Sequence, residues 1–536
     1  AKRSMFGVSK KSLPCTPASA QPQSSTRMKT TFIFAACAGK LIPIAKKTQS
    51  KIRMGKRVSD CLPTCNQWGF PHTVRPFMSE QKQDVNRRDF ISTGSSLAAM
   101  AAMMQAFEAR AQESGGESTA RRTDDSTPPV KMGLIGYGPQ GREIARNLAQ
   151  LPSAPLVAIS DNYGAMLRRS KRDHPKTKGY PNYQDLLADK NVEGVIIATA
   201  PHEHKEIVLA ALKAGKHVYC EAPLGHTVAE ARAIAKAAVD NPQQNFQAGL
   251  QFRSEPQRHF MFPFMRSGAL GRAVQARTQW HKKTSWRRVS PNAAREEAIN
   301  WRLNKQLSPG LAGEVGMHQV DLVNYFLNLK PVAVSGFGST IQWRDGRQVP
   351  DTVNLVYEYE NGFSLTQELT LSNSFDGEYE VMHGTNSAVM LRGSQAWMYK
   401  EADAPLIGWE VYARKEAHYG KPGVVLAAGA TTLGKGGKKL YQESAFTQTP
   451  LFYSLEAFAY NSHQVKTTVA DLIDTFGEVD NETVVEFLEE QLAGTNSLLP
   501  AANVLEGFQA NTIALKANEA VNTRKRVEIT KKDLTV

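Results

Sequence analysis

Residues 131–141 read KMGLIGYGPQG, and this stretch decides the first half of the fold. Its first five residues are mostly apolar and predict a buried strand, and a helix is predicted from Gln140 onward. Between them stand Gly136, Gly138 and Gly141, at the spacing G-x-G-x-x-G. Glycines at this spacing allow a tight turn and let a diphosphate approach the amide groups at the start of the helix. The predicted dinucleotide-binding residues of the turn are Gly136, Tyr137, Gly138, Pro139, Gln140 and Gly141.

An acidic residue follows at the expected distance. Asp161 lies 20 residues after Gly141, at the end of the next predicted strand. A carboxylate there accepts hydrogen bonds from ribose hydroxyls and repels a 2′-phosphate, so the sequence predicts NAD as the cofactor. Arg168 and Arg169 keep NADP open as an alternative, because a nearby arginine accommodates that phosphate; the other interpretation is a solvated helix face.

The order of predicted strands and helices divides the chain after the leader into two parts. From residue 129 to residue 252, strands alternate with helices, which is typical of an α/β Rossmann domain with a doubly wound parallel sheet. In residues 253–536, successive β-like runs predict an α+β domain with one large, mainly antiparallel open sheet. Helices are predicted there only over residues 312–327 and 503–521. The β-like runs are residues 273–280, 332–343, 352–360, 363–371 and 387–399.

Of the net charge of +14, +13 lies in the leader, residues 1–111. The whole chain has 65 basic and 51 acidic residues, and the first 111 residues hold 18 and 5 of them, which leaves 47 and 46. Nucleic-acid binding is therefore not expected, because the remaining chain is almost neutral. Four of the five cysteines lie in the first 65 residues, so a disulfide within the body is excluded, and no metal site is predicted.

The leader predicts export. Arg87 and Arg88 are followed by the weakly apolar residues 97–107 and by an Ala-x-Ala site that ends at Ala111. This pattern is typical of a twin-arginine (Tat) signal peptide over residues 78–111, starting at Met78. The alternative is a chance arginine pair before an amphipathic helix. The apolar segment is too short for a membrane span, so no transmembrane span is expected in the mature chain. Residues 1–77 are interpreted as a doubtful N-terminal extension and residues 112–128 as a polar linker.

Five segments together resemble the Gfo/Idh/MocA family of sugar and cyclitol oxidoreductases. They are GLIGYGPQG (133–141), VIIATAPHEH (195–204), ALKAGKHVYCEAPL (211–224), SPGLAGEVGMHQVDLVNYFL (308–327) and ALKANEAVNTRKRVEI (514–529). The resemblance implies a Rossmann domain, a C-terminal substrate domain with an open sheet, an NAD(P) cofactor, a small carbohydrate substrate and a homo-oligomer packed through the C-terminal sheet.

The resemblance also implies which strand ends hold the cofactor. After the fourth strand it points to Thr199, Pro201 and His204, with His202 beside them, although surface histidines are the alternative. After the fifth strand it points to Glu221 and Pro223. The family usually has Glu-Lys-Pro at this point, with a lysine that polarises the reacting hydroxyl, whereas this chain has Ala222.

For catalysis the resemblance points to one helix. Glu314 and His318 are four residues apart, which places both on one helical face. A histidine titrates near neutrality, so His318 is the expected general acid/base, assisted by Glu314. The alternative is a helix histidine whose ring is satisfied by Glu314 or by the backbone.

Further residues were assigned to substrate binding, each with an alternative. Asp321 either binds substrate or is a structural partner. Trp301 and Arg302 form part of a sugar-binding floor, or else pack in the ordinary way. Lys282 and its neighbour Lys283 are candidate replacements for the lysine missing at position 222.

Export constrains the reaction, because no ready supply of NAD exists outside the cytoplasm. We therefore expect a periplasmic or extracellular bacterial enzyme that retains its cofactor and oxidises a sugar, cyclitol or glycoside by hydride transfer. One alternative is a redox-neutral NAD-dependent glycosidase or lyase. The second is a non-catalytic sugar-binding protein, which Ala222 would favour.

Overall fold

The structure, a computed structural model, describes residues 128–290, 292–393, 395–405, 415–418, 421–425, 448–492 and 498–536. The predicted signal peptide, the N-terminal extension and all but the last residue of the predicted linker lie outside the described residues.

The N-terminal sheet consists of parallel strands. They are β1 (Met132–Ile135), β2 (Leu156–Ser160), β3 (Lys178–Tyr180), β4 (Gly194–Ile197), β5 (His217–Cys220) and β6 (Phe246–Ala248). The helices that connect them are α1 (Pro139–Leu148), α2 (Gly164–Asp173), α3 (Tyr183–Leu187), α4 (Pro201–Lys213) and α5 (Val228–Val239). The spatial order is β3-β2-β1-β4-β5-β6, with every pair parallel, which confirms the predicted doubly wound sheet. Its ligand crevice lies beyond the carboxyl ends of the central strands.

Both faces of this sheet are covered, which explains why its strands are almost continuously apolar. Val195 and Ile197 of β4 pack on one face, and Ile196 between them packs on the other. All three side chains are fully buried. The alternation follows from the strand geometry, which points successive side chains to opposite faces.

The C-terminal sheet is large and mainly antiparallel, as predicted. Its strands are β7 (Ala273–His281), β8 (Pro331–Ser339), β9 (Thr352–Tyr359), β10 (Ser364–Thr370), β11 (Glu378–Gly384), β12 (Ser387–Arg392), β13 (Gln395–Lys400), β14 (Lys415–His418), β15 (Lys421–Val425) and β16 (Val527–Glu528). The order is β14-β15-β13-β12-β11-β7-β10-β9-β8-β16, and only β7 and β10 pair in parallel.

The helices and helical turns of this half lie between and after these strands. They are α6 (Pro256–Arg266), α7 (Ala293–Ile299), a π-helical turn (Ala312–Gly316), α8 (Met317–Leu327), α9 (Pro450–Phe476), α10 (Asn481–Leu492) and α11 (Val504–Thr523), with 3₁₀ turns at Gln251–Arg253 and Trp301–Leu303. None of the described helices combines the length and apolarity needed to cross a bilayer.

Two sequence expectations for this half were wrong in detail. The single β-like run over residues 387–399 is a hairpin of β12 and β13, turned at Gly393, whose φ is +55°. The expectation of only two helices missed α9 among others, and α9 is 27 residues long. Its first turns bury Leu451, Phe452 and Phe458 against the N-terminal sheet.

Helix α11 connects the two cores. Phe508 packs among the side chains on the N-terminal sheet, whereas Ile513 and Val521 pack under the C-terminal sheet. The π-helical turn and α8 contact this same helix. The crevice of the first sheet and the helices of the second are therefore held side by side, and the predicted domain boundaries themselves stay a prediction.

Candidate functional site

The glycine turn after β1 is packed as tightly as its sequence requires. Gly136 has a φ of +94°, and a Cβ there would lie 2.8 Å from the carbonyl oxygen of Ala198 after β4. A Cβ on Gly141 would lie 1.9 Å from the carbonyl oxygen of Gly136. Only glycine fits either position. A Cβ on Gly138 would meet nothing within 4 Å, so this residue borders open space.

Helix α1 begins without a side-chain cap. Its N-cap residue is Gly138 and its first residue is Pro139. Uncapped amide groups at a helix start attract an anion such as a diphosphate. Tyr137 contributes only its backbone here, because its ring is 1% exposed and its hydroxyl donates to Asp173 at 3.2 Å. Burial raises the pKa of Tyr137 to about 12, and the negative charge of Asp173 adds to this effect.

Asp161 lies beside the same turn. Its Oδ2 accepts a hydrogen bond from the backbone N–H of Tyr137, and its Oδ1 accepts one from Tyr163, each at 2.8 Å. A carboxylate offers about four acceptor sites, so each oxygen retains capacity for a ribose hydroxyl. The turn, the helix start and Asp161 together fit a dinucleotide. Arg168 and Arg169 are exposed on α2, and Nε of Arg169 lies 3.4 Å from Asp173.

The residues after β4 differ in whether their polar atoms already have partners within the protein. His204 is 1% exposed, and its Nδ1 and Nε2 lie 3.1 Å from the carbonyl oxygen of Pro223 and 3.2 Å from that of Thr199. Burial lowers the pKa of His204 to about 4, against the opposing effect of these carbonyls. His204 therefore braces the ends of β4 and β5 and has no nitrogen left for a ligand. In contrast, Oγ1 of Thr199 is buried without a hydrogen-bond partner in the described part of the chain. Pro201 is buried as the first residue of α4.

Glu221 follows β5 and is the first half of the Glu-Ala-Pro sequence. Burial raises its pKa to about 7, while a hydrogen bond from Gln140 and the positive charge of Arg302 act in the other direction. Its Oε1 is buried with no partner among the described residues. Ala222 is partly buried and is joined to Pro223 by a cis peptide bond. Gln140 thus links the diphosphate turn to the end of β5.

The π-helical turn presents Glu314, and the first turn of α8 presents His318. Oε2 of Glu314 accepts a hydrogen bond from Nε of Arg302 at 2.6 Å, and its Oε1 is buried and unpartnered in the described structure. Burial raises the pKa of Glu314, and the charge of Arg302 opposes this shift. Nδ1 of His318 is also buried without a partner among the described residues. The ring packs edge-on to Phe252 with centroids 6.0 Å apart. Burial lowers the pKa of His318 to about 4, so the ring is neutral at pH 7.

This geometry bears on the two interpretations of His318. Glu314 is bonded to Arg302, and no described residue forms a hydrogen bond with Nδ1 of His318. A buried imidazole nitrogen without a partner is costly unless a ligand completes it. The catalytic role of His318 stays a prediction.

Asp321 is held in a buried ion pair. Its two oxygens accept hydrogen bonds from Nε and Nη2 of Arg253, both at 2.8 Å. Nη1 of Arg253 lies 2.5 Å from Glu506 of α11. Asp321 is 6% exposed. Of the two roles left open by the sequence, this geometry favours the structural partner and leaves little of Asp321 for a substrate.

Trp301 and Arg302 form a wall beside Glu314. The guanidinium of Arg302 lies 4.3 Å from the Trp301 ring centroid, and its side chain is 37% exposed. The Trp301 ring packs edge-on to His202, with centroids 6.2 Å apart. His202 contacts His226 in the same manner at 6.0 Å, and its Nδ1 is buried and unpartnered among the described residues. The wall therefore connects the π-helical turn to the end of β4.

Lys282 and Lys283, the candidate replacements for the missing lysine, directly follow β7, and this role stays a prediction. Both lysines are exposed. The charge of Lys282 acts on Glu378: burial raises the pKa of this carboxyl to about 7, and Lys282 opposes the rise. The cation whose charge reaches Glu221 is Arg302. Arg302, a predicted part of the sugar floor, therefore acts on the strand end that contains Ala222, and nothing in the sequence indicates this connection.

Two family models match the chain. The model described as "Oxidoreductase family, NAD-binding Rossmann fold" matches residues 130–249, and the "GFO/IDH/MocA C-terminal domain" matches residues 264–389. The inositol 2-dehydrogenase of Acidothermus cellulolyticus is 31% identical over 268 residues, which cover 50% of this chain and 74% of that protein. The chain belongs to the GFO/IDH/MocA oxidoreductase family.

Other relatives of this GFO/IDH/MocA protein match over a smaller share. The levoglucosan dehydrogenase of Pseudarthrobacter phenanthrenivorans is 27% identical over 207 residues, covering 37% of this chain and 51% of that protein. The chain thus spans about half the length of that curated relative.

Solved structures support the fold. Levoglucosan dehydrogenase in complex with NADH and L-sorbose superimposes with a TM-score of 0.55 at 19% identity, covering 75% of this chain and 99% of that chain. Aldose-aldose oxidoreductase from Caulobacter crescentus gives 0.51 at 17% identity, covering 75% and 100%. These likenesses show that the family fold extends over both sheets.

Proposed function

We propose that this protein oxidises a hydroxyl of a sugar, cyclitol or glycoside by hydride transfer to a retained NAD, with His318 as general acid/base. The observation that carries the proposal is the unpartnered, buried Nδ1 of His318 beside Glu314. Arg302 bonds Glu314 and also acts on Glu221 at the end of β5. This connection supports a catalytic role for the π-helical turn and the start of α8 beside the crevice where a Rossmann sheet holds its cofactor.

The proposed roles follow from protonation states. His318 is neutral at pH 7, because burial lowers its pKa to about 4, and a neutral imidazole can accept the proton of a substrate hydroxyl. Bound NAD supplies the hydride acceptor. Glu314 accepts a hydrogen bond from Nε of Arg302. No described residue accepts a hydrogen bond from the Nη groups of Arg302, so these groups are left for a substrate oxygen. Arg302 then provides the cation that the family usually has as lysine at position 222.

The substrate class follows from the wall and the relatives. The Trp301 ring is 8% exposed and packs against Arg302 and His202, so it offers a sugar no open face. The partly exposed Arg302 and the unpaired polar atoms of His202 and Glu314 suit a ring with several hydroxyl groups, because each can form a hydrogen bond with a hydroxyl. Relatives named levoglucosan dehydrogenase and inositol 2-dehydrogenase take compounds of this kind, as their names state.

Cofactor retention and export belong to the same proposal. The pattern around Arg87 and Arg88 supports twin-arginine export to the periplasm or exterior of a bacterium. An exported oxidoreductase without a supply of NAD must keep its cofactor and recycle it with a second substrate.

A homo-oligomer through the C-terminal sheet is also part of the proposal. Phe337 and Val356 are 57% and 42% exposed on the face turned away from the helices. Two exposed apolar side chains on neighbouring strands suit a subunit contact. Light scattering on the wild type and on Phe337→Asp tests this point: an oligomer that the substitution weakens supports it, and a monomeric wild type contradicts it.

A redox-neutral glycosidase or lyase is the second candidate. Ala222 in place of lysine favours it, and so does His202, a second imidazole with a buried unpartnered nitrogen near Trp301. Product analysis distinguishes the two: a dehydrogenase yields a ketone or lactone, whereas a redox-neutral enzyme cleaves a glycoside without net reduction of NAD.

The test is a panel of cyclic polyols and glycosides with the wild type and His318→Gln. We expect oxidation by the wild type and a loss in the variant, with His463→Gln of α9 as the matched control. A His318→Gln protein with normal turnover would refute the proposed role. A protein that binds no nucleotide would support the non-catalytic alternative.

A further inference from the structure

One segment of the C-terminal half contacts two neighbouring points of the N-terminal sheet. We call residues 285–290 and 292–302 the strap. The guanidinium of Arg295 lies 4.1 Å from the ring centroid of Tyr163, just after β2. The Trp301 ring contacts His202, at the start of α4 just after β4. The strap is therefore anchored at the carboxyl ends of both strands.

Strand order fixes what lies between these contacts. In the sheet β1 stands between β2 and β4, so the two anchors flank the glycine turn after β1. Two strand spacings amount to about 10 Å. The six residue steps from Arg295 to Trp301, mostly in α7, rise about 9 Å as a helix. The strap thus crosses the turn where the cofactor diphosphate is expected.

The backbone of Arg288, within the strap, is fixed by hydrogen bonds with the side chain of Asn300. The side chain of Asn300 accepts from the backbone N–H of Arg288 and donates to its carbonyl oxygen, both at 2.8 Å. The pKa of Arg288 is lowered mainly by burial, and the positive charges of Arg302 and Arg142 lower it further. Arg142 belongs to the first turns of α1. Arg288 therefore belongs to the part of the strap that is fixed by Asn300, one residue before the contact of Trp301 with His202.

Arg288 is exposed, and its guanidinium has no hydrogen bond or ion pair to a described residue, so it is free to bind an anion. The positive charges of Arg142 and Arg302 nearby favour an anion over a further cation. A dinucleotide supplies such an anion, since its diphosphate is doubly negative and accepts from guanidinium groups.

The strap is tied to the rest of its own half. Nη1 of Arg287 donates to the carbonyl oxygen of Asp345 at 2.8 Å, and its Nη2 pairs with Glu296 within the strap. Arg347 donates to the carbonyl oxygen of Ser285 and pairs with Asp345. These contacts fix the strap while leaving Arg288 and Arg295 directed to the other half.

We propose that the strap encloses the bound dinucleotide, with Arg288 binding the diphosphate and Arg295 covering the adenosine side against Tyr163. Residues from the C-terminal half thereby retain the cofactor between turnovers. This inference deepens the proposed function by naming the residues responsible for cofactor retention, and it rests on the binding of NAD.

The test measures release of NADH from the full chain by fluorescence after rapid mixing with an excess of NAD. We expect Arg288→Gln and Arg295→Gln to release NADH about 10- to 100-fold faster than the wild type, the range for loss of a charged hydrogen bond. Arg288→Lys should recover part of the loss. Arg272→Gln is the matched control, because Arg272 is exposed just before β7.

A second readout separates the two arginines. Arg288→Gln should weaken the binding of ADP-ribose, which carries the diphosphate, far more than the binding of adenosine. Arg295→Gln should weaken the binding of both compounds. Unchanged melting temperatures exclude misfolding. NADH release at the wild-type rate in both variants would overturn the inference, as would a wild type that binds no NAD. A wild type that binds NADH tightly but oxidises no sugar would refute the proposed reaction and leave the strap test intact.

Discussion

Nε of Arg302 lies 2.6 Å from Oε2 of Glu314, twelve residues further along the chain. The same guanidinium lowers the pKa of Glu221 against the larger effect of burial. Arg302 therefore electrostatically connects the catalytic turn with the strand end that has lost its lysine.

Replacing Arg302 tests this connection. Arg302→Gln removes a cation from two buried carboxyl groups and from the proposed substrate oxygen. We expect kcat/KM for the sugar to fall about 10- to 100-fold, the range for loss of a charged hydrogen bond. Ala222→Lys in the same background should restore part of the loss, whereas Arg272→Gln should change nothing. Full activity in Arg302→Gln would contradict the assignment.

The pH profile tests His318. Burial lowers the pKa of this ring to about 4, so it stays neutral and able to accept a proton above that value. We expect kcat/KM to fall only as the pH drops through about 4, and His318→Gln to lose about 100- to 10,000-fold with an unchanged Kd for NADH. An acid limb near the ordinary histidine pKa that persists in Glu221→Gln would show that the His318 ring is not buried as described, because Glu221 itself titrates at about 7.

Glu221 predicts a pH-dependent affinity for the oxidised cofactor. Its pKa is raised to about 7 by burial, so the carboxyl becomes anionic as the pH rises through 7. The nicotinamide ring of NAD is cationic only in the oxidised state, so NAD should bind more tightly above pH 7 than below it, while NADH should not. Calorimetric titration at several pH values measures this difference. Glu221→Gln should abolish the pH dependence, and a dependence that persists would assign it to another group.

We expect Asp321 to contribute to the stability of the fold through its ion pair with Arg253. Asp321→Asn leaves the charge of Arg253 buried with only Glu506 beside it. Breaking a buried ion pair costs about 3–5 kcal/mol, so the free energy of unfolding should fall by that order. Urea denaturation measures the loss, and turnover of the folded variant should stay near that of the wild type. A variant of normal stability with little turnover would instead return Asp321 to the substrate site.

Ala222→Lys on its own tests why the chain has alanine there. A lysine at this position would supply the polarising amine that the family usually has. We expect the variant to gain dehydrogenase activity on free sugars, measured as NADH formation, and a variant that gains none would show that alanine does not select against simple oxidation.

Local features of the sequence were sufficient for the cofactor half. The glycine turn, Asp161 and the alternating strands depend on neighbours close in the chain, so spacing alone reveals them. The start of α9 shows no periodic pattern, because its first turns are buried all round. Its second half does alternate, with Val465, Val469 and Leu472 buried at helical spacing, and that signal was available in the sequence.

The candidate site depends on contacts that no spacing encodes. The Arg253–Asp321 pair joins residues 68 apart in the chain, which is why the sequence left the role of Asp321 open. Arg288 and Arg295 were not singled out at all, because their significance arises only from strand order. A cluster of arginines between Trp286 and Trp301 was the available signal.

The most direct test of a retained cofactor is to purify the full chain without added nucleotide, denature it and identify the released compound by mass spectrometry. The account predicts about one NAD or NADH per chain. A protein that releases no nucleotide and fails to bind added NAD would contradict it.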